Sequence, residues 1–173
     1  MLFSQLITKP LFAIFIAVFL TACSEENTVR DVSQDALQQS ILPVLEVYKS
    51  PTCHCCSKWI THIEDHGFET KAHNTNDLSD LKAEKSILPR YQSCHTAVSK
   101  EGYVFEGHIP AKYIHKFLQE KPEDAIGLAV PAMPIGSPGM EVGPEFQSYD
   151  ILLLKADGSA EIYARINTQK EQY

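Results

Sequence analysis

Three cysteines fall within four residues at Cys53-His54-Cys55-Cys56, and the chain on either side dictates where they sit. Upstream, Val44-Leu45-Glu46-Val47-Tyr48 is a β-rich run ended by Lys49-Ser50-Pro51-Thr52, which reads as a buried strand feeding a turn. Downstream, Ser57 to His66 carries Trp59, Ile60 and Ile63 at helical spacing and stops at Gly67. Phe68 to Ala72 then returns extended. Strand, helix and strand of these lengths form a βαβ unit with parallel strands and a right-handed crossover. The cysteines thus occupy the turn into the first helix.

Further along, Asn76 or Asp77 can cap a second helix through about Ser86, and Pro89 ends that region. Cys94 to Ser99 and Tyr103 to Gly107 form a hairpin around Lys100-Glu101-Gly102. Pro110 opens a third helix with an apolar stripe of Tyr113, Ile114, Phe117 and Leu118. The order is β-α-β-α-β-β-α, an α/β arrangement of the thioredoxin type, in which the redox motif lies between the first strand and the first helix. The passage from Gly127 to Gly143 is rich in Pro and Gly and reads as a long irregular loop. A hairpin of Asp150 to Lys155 and Ala160 to Ile166 closes the chain over Asp157-Gly158, with Ile162, Ala164 and Ile166 on one face.

The residue types in the turn favour a soft metal. Thiolate selects Cu(I), Zn(II) or iron-sulfur clusters, and nearby imidazole and thioether shift the choice toward copper. A helix N-terminus at Cys56 and Ser57 stabilises thiolate, the ligand form. The candidate metal ligands are Cys53, Cys55, Cys56, Cys94, His95, His108, Met133, Met140 and His54. Plainer readings stand beside these. Cys94 also suits a small buried hydrophobe or a structural disulfide partner, and His95 and His108 are ligands or hydrogen-bond partners of ligands. Met133 and Met140 also suit loop anchors packed into the core. His62 and His66 read as solvated surface, and Trp59 as core.

The N-terminus reads as an address. Lys9 supplies a weak positive region and Pro10 to Leu20 an apolar run too short to span a bilayer comfortably. Leu20-Thr21-Ala22-Cys23 then resembles the bacterial lipobox, so residues 1–22 are expected to be a signal peptide and Cys23 the lipidated mature terminus. Ser24, where Asp would favour inner-membrane retention, points to the outer membrane facing the periplasm, an oxidising compartment. Residues 23–43 read as anchor and flexible tether, and 44–170 as the folded domain. A net charge of −7 argues against nucleic acid as a partner.

From about Val44 to Val142 the chain resembles the CopG-type family of small periplasmic copper-resistance proteins, long catalogued as a domain of unknown function. The residues that carry the resemblance are Lys49-Ser50-Pro51-Thr52-Cys53-His54-Cys55-Cys56 with Trp59, then Ser93-Cys94-His95-Thr96-Ala97 and Glu106-Gly107-His108-Ile109-Pro110-Ala111. Gly127-Leu128-Ala129-Val130-Pro131 and Gly136-Ser137-Pro138-Gly139-Met140-Glu141 complete it. The resemblance implies a thioredoxin-like fold, copper bound at the Cys-x-Cys-Cys turn with the Cys-His strand, and a role in copper detoxification or transfer. It also implies redox activity between Cu(I) and Cu(II). Family members commonly carry Gly where this chain has His54, which makes the turn stiffer here and adds a donor.

Three functions follow as expectations. The first is a copper-binding protein of the periplasm, tied to the membrane by its lipid and exchanging copper ions with other copper-handling proteins. The second is a thiol-disulfide oxidoreductase using Cys53 and Cys56. The third is a structural disulfide domain that mediates protein contacts.

Overall fold

The computed structural model describes residues 42–173. The signal peptide, Cys23 and all but the last two residues of the tether lie outside the described residues. Within them the chain forms β1 (Val44–Lys49), α1 (His54–Asp65), β2 (Glu69–Asn74), α2 (Ser79–Glu84), β3 (His95–Ser99), β4 (Val104–Glu106) and α3 (Ala111–Glu120). β5 (Ala125–Ala129), β6 (Tyr149–Lys155) and β7 (Ala160–Ile166) follow, with short 3-10 segments at Pro89–Tyr91 and Gln169–Gln172. No helix among the described residues is long and apolar enough to cross a membrane.

All seven strands join one mixed sheet in the order β2-β1-β3-β4-β5-β6-β7. β1 runs parallel to β2 and antiparallel to β3, so the strand that delivers the cysteine turn lies beside the strand that begins after Cys94. Lys49, the last residue of β1, is paired with His95, the first of β3. That register brings the two cysteine-bearing segments to one end of the sheet.

Alternation sorts the core. Ala97, Phe105 and Leu128 face a large apolar cluster with Trp59 and Ile63 of α1 and Ile114 and Phe117 of α3. Their neighbours Val98, Val104 and Ala129 face the opposite side, where Ile87 and Tyr91 cover the sheet. Burying each large side chain contributes about 1.5–3 kcal/mol, so the bigger face supplies most of the apolar stabilisation.

Four expectations need correction. α1 starts at His54 rather than at Ser57, because Cys53 caps it and draws Cys55 and Cys56 into its first turn. Gly127, Leu128 and Ala129 are not loop but part of β5, paired in parallel with β4 and antiparallel with β6. Glycine is required there: a Cβ on Gly127 would stand 1.8 Å from the Val104 carbonyl oxygen. Ile162 leaves the face of Ala164 and Ile166 for solvent, because a register shift between Ile151 and Leu152 leaves Tyr163 bulged. His62 is buried rather than solvated, and its Nε2 accepts the Ala111 backbone N–H at 3.1 Å.

Candidate metal centre

The cysteine turn is built by backbone chemistry before any metal is considered. The Ser50 carbonyl accepts the Cys53 N–H at 3.1 Å, which folds the chain tightly over Pro51 and Thr52. Cys53 is extended at φ −76° and ψ 93°, and its Sγ accepts the Cys56 N–H at 3.3 Å. A sulfur therefore does the capping work usually given to a Ser or Asp oxygen. With no acidic residue in the first turn, the helix dipole acts on the cysteines unopposed. Cys53 and Cys56 form a disulfide, and Cys55 and Cys94 are the free thiols among the described residues. Cys55 Sγ lies 3.5 Å from Cys53 Sγ.

The strand half of the centre comes from β3 and the turn after β4. Cys94 Sγ lies 3.4 Å from Cys56 Sγ, 3.1 Å from His108 Nε2 and 3.4 Å from His95 Nδ1. Since a carbonyl only accepts, the 2.9 Å contact of His108 Nδ1 with the Pro138 oxygen places the proton on Nδ1. Nε2 is then left bare toward Cys94, the arrangement that orients an imidazole as a ligand. Burial lowers the pKa of His108 and pushes that of His95 well below the ordinary histidine value, so both rings are neutral donors at neutral pH. Burial, with Cys55 beside it, pushes the Cys94 thiol up to about 12. His95 is fully buried, 4.3 Å from the Trp59 ring and edge-on to His108 at 5.0 Å. Its Nδ1 faces Cys94, and its buried Nε2 has no hydrogen-bond partner.

Behind Cys94 stands a buried ion pair. Glu106 Oε1 accepts from Lys82 Nζ and from the Ser93 backbone N–H at 2.6 Å, while Oε2 accepts the Thr96 hydroxyl at 2.6 Å. Lys82 Nζ also donates to the Ser93 carbonyl at 2.7 Å. The carboxylate thereby grips the chain on both sides of Cys94-His95. Burial raises the Glu106 pKa, and the Lys82 charge and the other donors oppose that shift.

The Pro/Gly-rich segment closes the other side. Gly139, at φ +86°, lies so near α1 that a Cβ would stand 2.6 Å from the Cys55 carbonyl oxygen and 2.8 Å from the Trp59 nitrogen. Trp59 Nε1–H donates to the Ile109 carbonyl at 2.9 Å, tying α1 to the turn that carries His108.

The expected ligands divide on this geometry. Cys53, Cys55, Cys56 and Cys94 have donor atoms within 4.8 Å of one another, and so do Cys94, His95 and His108, with Cys94 common to both groups. His54 is exposed and in neither group. Met133 is also exposed and opens onto a surface cavity of about 440 Å³ lined with Pro131, Gln147 and Tyr149, where no cysteine or histidine takes part. Met140 follows Gly139 directly and is half-buried, its N–H bonded to the Ser137 carbonyl at 2.7 Å. Sequence reasoning missed Lys82 and gave Glu106 no role. One signal was present: a carboxylate inside the apolar run Val104-Phe105-Glu106 requires a buried partner.

Six residues with soft and borderline donor atoms, brought together from the start of α1, the start of β3 and the turn after β4, are a set suited to a thiophilic metal such as copper. Comparison with known proteins agrees. Residues 91–140 match the family described as "Protein of unknown function, DUF411". Comparison with the curated proteins gives no match. Two solved structures match over their whole length: "Copper resistance protein copG- Form 1", at 36% identity over 73% of this chain and 99% of that one, TM-score 0.68, and its Form 2, at 37% identity over 72% and 98%, TM-score 0.68. An identity of this size across essentially all of those chains makes this one a member of the CopG family of copper-resistance proteins.

Proposed function

We propose that the protein is a periplasmic lipoprotein that binds copper as Cu(I) through Cys53, Cys55, Cys56 and Cys94, with His95 and His108 completing the donor set. The observation that carries this reading is the convergence of four sulfurs, three from one helix turn and one from a neighbouring strand, within 4.8 Å. Thiolates at that spacing can bridge more than one soft ion, which suits a multinuclear cluster. Copper is here the cargo, and the work is resistance: buffering it, changing its oxidation state, or passing it to other copper-handling proteins. Full use of the site requires reduction of Cys53–Cys56, since a disulfide sulfur is not a thiolate.

The overall arrangement is read as thioredoxin-like, a reading supported by the 2-1-3-4 order of the first four strands and by the cysteines at the start of α1. The domain is placed at residues 44–170, behind a signal peptide of residues 1–22 and a tether anchored through Cys23. The lipid would hold it to the membrane, the outer one by the identity of Ser24. Intact-mass analysis of membrane-extracted protein tests this part; an unmodified Cys23 or cleavage elsewhere would end it.

A thiol-disulfide oxidoreductase is the second reading, favoured by one observation, the Cys53–Cys56 disulfide at a helix N-terminus. Anaerobic Cu(I) titration of the reduced protein against a chelator, run beside an insulin-reduction assay, separates the two. Tight uptake without reductase turnover supports copper binding, and turnover without uptake reverses the assignment.

A further inference from the structure

We infer that Cys94 is an internal resolving thiol: with His108 as its base it attacks Cys56 and moves the disulfide from Cys53–Cys56 to Cys56–Cys94. The geometry is already assembled in the disulfide form. Cys94 Sγ is 3.4 Å from Cys56 Sγ, and its hydrogen has an acceptor at 3.1 Å in His108 Nε2, whose other nitrogen is committed to the Pro138 carbonyl. Cys56 is fully buried, so a thiol from solvent does not reach it, whereas Cys94 is beside it. The other free thiol, Cys55, lies 3.5 Å from Cys53 Sγ and beside Cys94, and no histidine nitrogen is among its hydrogen-bond partners.

The step balances without any external reagent. The Cys94 S–H bond breaks and its proton passes to His108 Nε2, while the sulfur electron pair forms the bond to Cys56. The Cys53–Cys56 bond breaks and Cys53 departs with that electron pair as a thiolate, later reprotonated from the imidazolium through water. One disulfide and two thiols are present before and after. Cys53 is the favourable leaving group, because the Cys56 N–H already points at its sulfur from 3.3 Å at the positive end of α1.

The outcome differs in what it presents outside. With the crosslink at Cys53–Cys56 the half-buried turn offers one thiol, Cys55. With the crosslink moved inward, Cys53 and Cys55 are both free, with sulfurs 3.5 Å apart in the present structure, as a two-thiol mouth for a soft cation. Capture of copper at that mouth rests on the copper-binding reading; the exchange itself does not.

The test uses metal-free full-length protein holding a single disulfide, incubated anaerobically, acid-quenched, alkylated and digested without reduction for mass-spectrometric mapping. Wild type is expected to contain a Cys56–Cys94 peptide pair beside Cys53–Cys56. Cys53→Ser, oxidised with glutathione disulfide, is expected to carry its crosslink at Cys56–Cys94. His108→Phe is expected to slow the approach to the wild-type mixture by roughly 100-fold or more, the usual contribution of a positioned base. Trp59 fluorescence checks that each variant is folded, and the wild-type map decides if Cys53→Ser is not. Absence of a Cys56–Cys94 pair in wild type, or crosslinking of folded Cys53→Ser through Cys55 instead, overturns the inference. No metal enters the assay, so its failure and a failure to bind copper are separate results.

Discussion

On the helix side of the centre, Cys53, Cys55 and Cys56 come from four consecutive residues, and hydrogen bonds among near neighbours in sequence shape their turn. On the strand side, Cys94, His95 and His108 are held by partners scattered through the chain: Lys82 and Glu106 behind, Pro138 over the top, Trp59 alongside. The helix side also carries the disulfide and is half-buried at Cys53 and Cys55, while both strand-side histidines are wholly buried. A local motif can therefore change its covalent state with little cost elsewhere, whereas the strand side is fixed by the fold. In the proposed reading the turn is the side that admits and releases copper, and the strand side holds its donors in place from beneath.

Removing the shared donor should break the comparison most completely. Cys94→Ser is expected to weaken Cu(I) binding by more than about 100-fold, beyond the usual effect of losing an outer partner, as read by chelator competition. A variant that keeps full stoichiometry and affinity would show that the turn binds without its floor.

The ion pair gives the next largest effect and separates stability from positioning. Glu106→Ala strands the Lys82 charge and should lower unfolding free energy by about 3–5 kcal/mol in urea titrations. The double variant Lys82→Met with Glu106→Leu should recover most of that stability, since buried pairs are often replaceable by apolar residues. It should still bind Cu(I) about 10–100-fold more weakly, because nothing then grips the backbone at Ser93. Recovery of both properties together would reduce the pair to a structural role.

A smaller change tests the cover over the turn. Gly139→Ala forces a side chain into a left-handed conformation, worth about 1–2 kcal/mol, and against the Cys55 carbonyl as well. Thermal melting should show the loss, together with faster alkylation of Cys55.

The last effect shows only in acid and vanishes at neutral pH. Burial, with His66 opposing and Asp65 and Glu141 favouring the charge, lowers the His62 pKa from 6.5 to about 4, so the fold prefers the neutral ring. Its contribution is complete above pH 6.5 and is lost as pH falls from there toward about 4. His62→Gln, which retains an acceptor for the Ala111 N–H, should flatten the stability profile across that window, as followed by denaturant midpoints.

The same contrast explains what could be read from the residues alone. The βαβ unit and the cysteine turn were legible because strand run, turn residues and helical spacing are local signals, and the order through α3 followed from them. β5 was hidden because Gly127-Leu128-Ala129 has poor strand propensity and is held by pairing on both sides, where tertiary context overrides composition. Tyr163 as a bulge leaves no sequence mark, so Ile162 was assigned to the wrong face. At the site, spacing picked out the cysteines that the fold clusters, whereas Lys82 lies in an ordinary polar helix and meets Glu106 of β4 only in the folded chain. His54 and Met133 show what spacing and residue type leave open: both are exposed, and His54 lies outside the two donor groups.

Copper X-ray absorption on the reduced, anaerobically loaded protein tests the central claim most directly. A Cu(I) edge with a sulfur-dominated first shell, and a copper–copper contribution if thiolates bridge, is the predicted result. A first shell dominated by nitrogen and oxygen, or a reduced folded protein that retains no copper after desalting, would contradict it.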